Sequence, residues 1–170
     1  MVEGVLIVHV VRAHRLMNRD GGVTRSDPYV IVKYFGNEIA RTLTIKDNDC
    51  PEWNYSTQFI ICGEFPSDES NDVEQQQTQI SFEVWDSDPF SKDDFLGCVQ
   101  FPLQSVVGNH AQNIEGVFDL QQRSESNSKP IHGDITLSIH FQNNPTPNPY
   151  QQYMKLDLNP NQTQSPWFAQ

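Results

Sequence analysis

Between Gln79 and Trp85 apolar and polar residues alternate strictly, with Ile80, Phe82 and Val84 set against Ser81 and Glu83. A period of two puts the first set on one face of an extended chain and the second on the other, which is the pattern of a half-buried β-strand and not of a helix. The same alternation returns in Gly133 to Phe141, through Ile135, Leu137, Ile139 and Phe141. Six further stretches read as strands from their β-branched and aromatic content: Gly4–Val11, Tyr29–Phe35, Arg41–Ile45, Gln58–Cys62, Phe95–Leu103 and Gly116–Leu120. No amphipathic helix of useful length is found between them. Eight short strands separated by turn residues predict an all-β chain, an eight-stranded antiparallel β-sandwich or barrel.

The intervening segments are polar. Residues 12–27 and 86–94 are loops, the second rich in Asp, and Asp47-Asn48-Asp49-Cys50-Pro51 reads as turn chemistry. Residues 66–79 and Ser124–Lys129 read as polar loops. From Gln142 onward Pro, Asn and Gln dominate. The expected division is therefore a folded domain over residues 1–141 and a tail or linker over 142–170, whose scattered aromatic and aliphatic side chains are able to pin it onto the sandwich or onto a protein partner.

Lys and Arg total 11 against 22 Asp and Glu, a formal net charge of −11. Such a chain repels nucleic acid, and it repels anionic lipid unless something reverses its charge locally. Cys50, Cys62 and Cys98 form no metal-binding pattern. No secretory signal and no span-length apolar run are read, so the expected location is cytoplasmic. No GxSxG, HExxH, P-loop or GxGxxG pattern occurs, and the five histidines are scattered; the expectation is a binding protein, not an enzyme.

The remaining chemistry lies in the aspartates. Calcium prefers six to eight oxygen ligands, largely carboxylates and carbonyls. Asp20 and Asp27 lie in the first loop, and Asp86, Asp88 and Asp94 within nine residues of the second. Asp86 leaves the end of a strand, Asp88 shares its parity, and Asp94 precedes the next strand and closes the loop from the other side. Taken singly each Asp is a turn former; gathered, five carboxylates repel one another until a cation is present.

These pieces resemble the C2 domain, a calcium-dependent phospholipid-binding β-sandwich. The resemblance is carried by Gly4-Val5-Leu6-Ile7-Val8-His9-Val10, Ala13-His14-Arg15-Leu16, Ser26-Asp27-Pro28-Tyr29-Val30, Pro51-Glu52-Trp53-Asn54, Phe82-Glu83-Val84-Trp85-Asp86-Ser87-Asp88 and Asp93-Asp94-Phe95-Leu96-Gly97, in the family's order over residues 4–141. It implies that Asp20, Asp27, Asp86, Asp88 and Asp94 ligate two or three calcium ions. The carbonyls of Arg19 and Ser87 would add ligands, and Ser91 would serve an outer ion. Asp93 would turn away. It also implies the family's type II topology, with first and last strands adjacent at the sheet edge. The spacing between Asp20 and Asp27 is one residue longer than the family's, which sets Asp20 apart from the other four.

By the same resemblance, calcium turns the loop tips from anionic to cationic and docks them on an anionic phospholipid surface, making the domain a peripheral membrane protein when calcium rises. Phe90 and Val23 would enter the headgroup region, flanked by Arg25 and Lys92. The domain is expected to work as a monomer. Lys33 alone on the candidate strands 29–35 and 58–62 predicts little phosphoinositide selectivity. The competing expectation is a calcium-independent protein-interaction module that uses the sandwich or the tail.

Overall fold

The computed structural model describes residues 2–18, 24–63, 79–107, 113–123, 130–143 and 154–157. Within them lie nine strands: β1 Val2–His14, β2 Pro28–Tyr34, β3 Asn37–Arg41, β4 Glu52–Gly63, β5 Gln79–Asp86, β6 Asp94–Pro102, β7 Ile114–Asp119, β8 Asp134–Asn143 and β9 Met154–Asp157, with one 3-10 turn at Leu103–Ser105. Strands β7-β8-β1-β4 form one antiparallel sheet, which β9 extends, and β3-β2-β5-β6 form the other. The inner faces carry Leu6, Val8 and Val10 from β1, Ile135, Leu137 and Ile139 from β8, and Phe59 and Ile61 from β4. They meet Val30, Val32 and Tyr34 from β2 and Ile80, Phe82 and Val84 from β5, all buried in one core. Each such side chain contributes roughly 1.5–3 kcal/mol by leaving water. The alternations in β5 and β8 therefore mark the core faces, and the expected antiparallel sandwich is the fold found.

Strand β1 pairs with β8, as the type II arrangement requires, from Gly4 opposite Asn143 to His14 opposite Asp134. The pair does not lie at the edge of the sheet. β1 is flanked by β4 on its other side, and β7 and β9 take the edges. On β1 the inner face, Leu6, Val8 and Val10, is fully buried, whereas Ile7 and His9 on the other face are half-buried.

The third strand lies four residues earlier than expected. Tyr34 faces Asn37 across a two-residue turn in which Phe35 has φ 47° and Gly36 φ 73°. Two left-handed residues make a hairpin whose twist matches the strands, so pairing resumes at Asn37. The Thr- and Ile-bearing stretch after Arg41 leaves the ladder: Thr42 and Ile45 still donate backbone hydrogen bonds to Val30 and Pro28, but Leu43 is 85% exposed. β4 starts at Glu52 instead of Gln58, passing an irregularity opposite Val10–Arg12 where Asn54 takes a left-handed φ of 46°.

A ninth strand comes from the tail. Met154–Asp157 runs parallel to β4, with Phe59 opposite Met154 and Cys62 opposite Asp157. Leu156 is fully buried in the core.

Candidate functional site

Strand direction gathers the ends of β1, β5 and the starts of β2, β4, β6 and β8 at one pole. His14 faces Asp134, Arg12 faces Glu52, Pro28 faces Asp86, and Asp86 faces Asp94. The two loops expected to carry aspartates emerge here. A third joins them: residues 42–51, which reach the first loop through Asn48 N–H to the Ser26 carbonyl and Leu16 N–H to the Asp49 carbonyl.

The aspartates are already tied together. The Asp27 N–H donates to Asp86 Oδ1 at 2.6 Å, and the Ser87 N–H returns to the Asp27 carbonyl at 3.0 Å. Asp86 is 1% exposed, although it sits at the tip of its strand. Asp27 Oδ1 accepts the Asp47 N–H at 2.8 Å, and Asp47 Oδ1 accepts the Arg25 N–H at 2.6 Å. The turn Asp47-Asn48-Asp49 is thus part of the site region, which reading it as turn chemistry alone did not find. Its signal was present as two more carboxylates, but only the fold shows that Asp47, at φ 52°, presents its backbone to Asp27.

Asp94 lies opposite Asp86 at the neck of the third loop in chain order, and Asp88 lies within that loop. Asp93 is engaged within the protein. Its Oδ1 accepts the Asp88 N–H at 3.1 Å and its Oδ2 accepts the Tyr29 hydroxyl at 2.5 Å, so it staples the loop from inside. Burial, reinforced by that hydrogen bond to Asp93, pushes the Tyr29 hydroxyl up to about 12. Phe90 is 100% exposed at the crest, beside the exposed Ser91 and Lys92. Arg25 is exposed too, with its guanidinium 3.0 Å from Asp49 across to the neighbouring loop. Asp20, Arg19 and Val23 lie outside the described residues.

Among the described residues no three His, Cys, Asp or Glu side chains already stand in the arrangement of a metal site. The donor set nevertheless fits a hard cation. Asp27, Asp86, Asp88 and Asp94 offer carboxylate oxygens at one pole, with no thiol or imidazole among them.

Under the same pole Asp134, buried at the start of β8, holds the base of the first loop. Its Oδ2 accepts from Arg15 at 2.8 Å, and its Oδ1 lies 3.2 Å from His14 Nδ1. Burial raises the Asp134 carboxyl, but the hydrogen bonds from Arg15 and His14 together outweigh it and hold it below the ordinary carboxylate range. A depressed folded-state value means that Asp134 stabilises the fold above the unfolded carboxylate value of about 3.9, and that this contribution is lost as pH falls through the lower folded value. Thermal melts of wild type and Asp134→Asn between about pH 7 and 2 should therefore run parallel above about pH 5 and converge below about pH 4. A constant gap down to the acid end would remove Asp134 from the acid response.

The fold is a β-sandwich with Asp27 and Asp86 joined at one pole. The C2 domain family profile matches residues 4–120, and the chain belongs to the C2 domain family. It is 28% identical over 144 residues to elicitor-responsive protein 1 of Oryza sativa subsp. japonica, covering 82% of this chain and 84% of that protein. It is 32% identical over 110 residues to extended synaptotagmin-3 of Xenopus tropicalis, covering 62% of this chain and 11% of the relative. Among solved structures, the calcium-bound pair of C2 domains of extended synaptotagmin 2 superposes with a TM-score of 0.63 at 28% identity, over 84% of this chain and 47% of that one. A C2 domain of plant extended synaptotagmin 1, at 21% identity and a TM-score of 0.61, shares the fold over 84% of this chain and 97% of its own.

Proposed function

We propose that the domain binds calcium through Asp20, Asp27, Asp86, Asp88 and Asp94 and, once loaded, docks reversibly on anionic phospholipid membranes. The observation that carries this reading is the joining of Asp27 and Asp86, from separate loops, at the pole where Phe90 stands fully exposed. Two calcium ions (+4) nearly balance five carboxylates (−5), and lipid phosphate oxygens complete the metal's coordination. Without calcium an acidic pole on a chain of net charge −11 is repelled by the bilayer. Phe90 then adds the burial of one aromatic side chain, roughly 1.5–3 kcal/mol. The existence of a calcium-bound relative with the same fold supports the assignment of the ion.

The outer face of the β3-β2-β5-β6 sheet offers little to an inositol phosphate. Lys33 Nζ lies 2.8 Å from Glu83 and Arg123 2.7 Å from the same oxygen, so both cations are engaged by one carboxylate that offsets one of their two charges. For the alternative of a calcium-independent partner site, Leu156 is the one buried tail side chain among the described residues, and it is committed to the core.

Vesicle co-sedimentation tests the reading. With phosphatidylserine vesicles, pelleting is expected in calcium and none in chelator, and Phe90→Ala should weaken the calcium-dependent fraction without removing it. Equal pelleting in both conditions would defeat the switch.

A further inference from the structure

Trp85 immediately precedes Asp86, and Phe95 immediately follows Asp94. The two rings face each other across the ladder, edge to face with centroids 5.3 Å apart, at the neck from which the loop 87–93 leaves the sheet. Whatever holds this pair holds both ends of the loop. The group that does so comes from elsewhere in the chain. The Arg123 guanidinium lies 4.7 Å from the Trp85 ring centroid and 4.3 Å from that of Phe95, covering both. It is fixed there by Glu83, a residue only 7% exposed, whose Oε2 accepts from Arg123 at 2.7 Å and from the Trp85 indole N–H at 3.1 Å, with Lys33 at 2.8 Å. A charged group stacked on two rings and paired with a buried carboxylate is a directional, strong contact.

The backbone is shaped to deliver Arg123 to this place. Gln121 and Cys98 exchange hydrogen bonds, 2.9 Å in each direction, so the segment after β7 lies along β6. Gly97 makes that approach feasible. It has a φ of +143°, and a Cβ there would stand 2.7 Å from the Leu120 Cβ. The glycine that closes Asp94-Phe95-Leu96-Gly97 thus clears the path by which Arg123 reaches the neck.

We infer that Arg123 is a positioning residue for the 87–93 loop: its stack on Trp85 and Phe95, anchored by Glu83, fixes the directions in which Asp86 and Asp94 leave the sheet. Its guanidinium is occupied by the two rings and Glu83. The purpose of this positioning rests on the calcium reading above, whereas the positioning itself does not. Fixing the neck before calcium arrives removes an ordering cost that binding would otherwise meet, so loosening it lowers affinity without removing a ligand. An ammonium at position 123 keeps the charge but lacks the flat face that covers two rings, which separates the stack from the ion pair.

The test is amide hydrogen exchange of residues 87–94 in chelator, alongside calcium titration by calorimetry, on wild type, Arg123→Ala, Arg123→Lys and Ile139→Val. The last trims a fully buried β8 side chain and serves as a control for general loss of stability. Both Arg123 variants should speed exchange across 87–94, by roughly tenfold for a local opening no longer opposed by the stack, and weaken calcium by a few-fold. Ile139→Val should do neither. Unchanged loop exchange in Arg123→Ala, full recovery in Arg123→Lys, or equal acceleration in Ile139→Val would each overturn the inference. Failure of wild type to bind calcium would overturn the calcium reading alone, because the exchange result is obtained without the ion.

Discussion

The combined substitution Asp86→Asn, Asp88→Asn is expected to abolish the calcium heat seen by calorimetry and, with it, calcium-dependent vesicle binding. Asparagine keeps the shape of the side chain and an acceptor oxygen, so an amide at position 86 can still receive the Asp27 N–H that Asp86 Oδ1 receives at 2.6 Å. What is lost is charge. Calcium affinity is set by the number of ligand charges and the rigidity of the site, and removing two of five carboxylates should cost on the order of a hundredfold, or ~2.7 kcal/mol. The fold should survive, with a melting temperature in chelator equal to or above that of wild type, since two like charges are gone from one pole. Retained calcium heat would place the ions elsewhere. A lowered melting temperature in chelator would show that these carboxylates serve the fold itself.

The second large effect is expected far from the loops. Leu156→Ala empties a fully buried position in the core and should destabilise the domain by about 2–5 kcal/mol, the usual range for such truncations. One limit applies. Leu156 lies on a four-residue strand that pairs only with β4, so the loss cannot exceed the whole docking free energy of β9. A chain ending at residue 153 sets that limit, and Leu156→Ala should approach it. Cys62 gives an independent readout: it is half-buried opposite β9, with its thiol directed at the Leu156 carbonyl at 3.8 Å. Maleimide labelling of Cys62 should accelerate in both variants while Cys98, which is buried, stays slow. Labelling and melting unchanged from wild type would mean that the core does not need β9.

These elements show what could be read from the residues and what could not. β5 and β8 were legible because a period of two has one interpretation when one face is buried. β3 was misplaced because Thr42, Thr44 and Ile45 have β-forming side chains, whereas the boundary is decided by the left-handed turn at Phe35-Gly36, and a Phe gives no sign of taking a positive φ. β9 was hidden among Pro, Asn and Gln; a four-residue strand owes its existence to β4 and not to its own composition. Of the aspartates, Asp27 and Asp86 were found by spacing and are joined in the fold. Asp47 and Tyr29 were read as turn and strand residues, because contacts made through a backbone N–H and a phenol leave no periodic trace.

The antiparallel pairing of β1 with β4 and β8 has a mechanical consequence. β4 runs from Glu52 at the loop pole to Gly63 at the opposite pole; β9 runs with it, and β1 begins at that same far pole with Val2 opposite Gly63. With the loops held on a bilayer, a pull on the Val2 end acts along β1, against ladders to β4 and β8 whose hydrogen bonds lie across the direction of force. Such bonds are loaded together in shear instead of being unzipped one at a time, so tension applied along β1 is shared by both of its ladders.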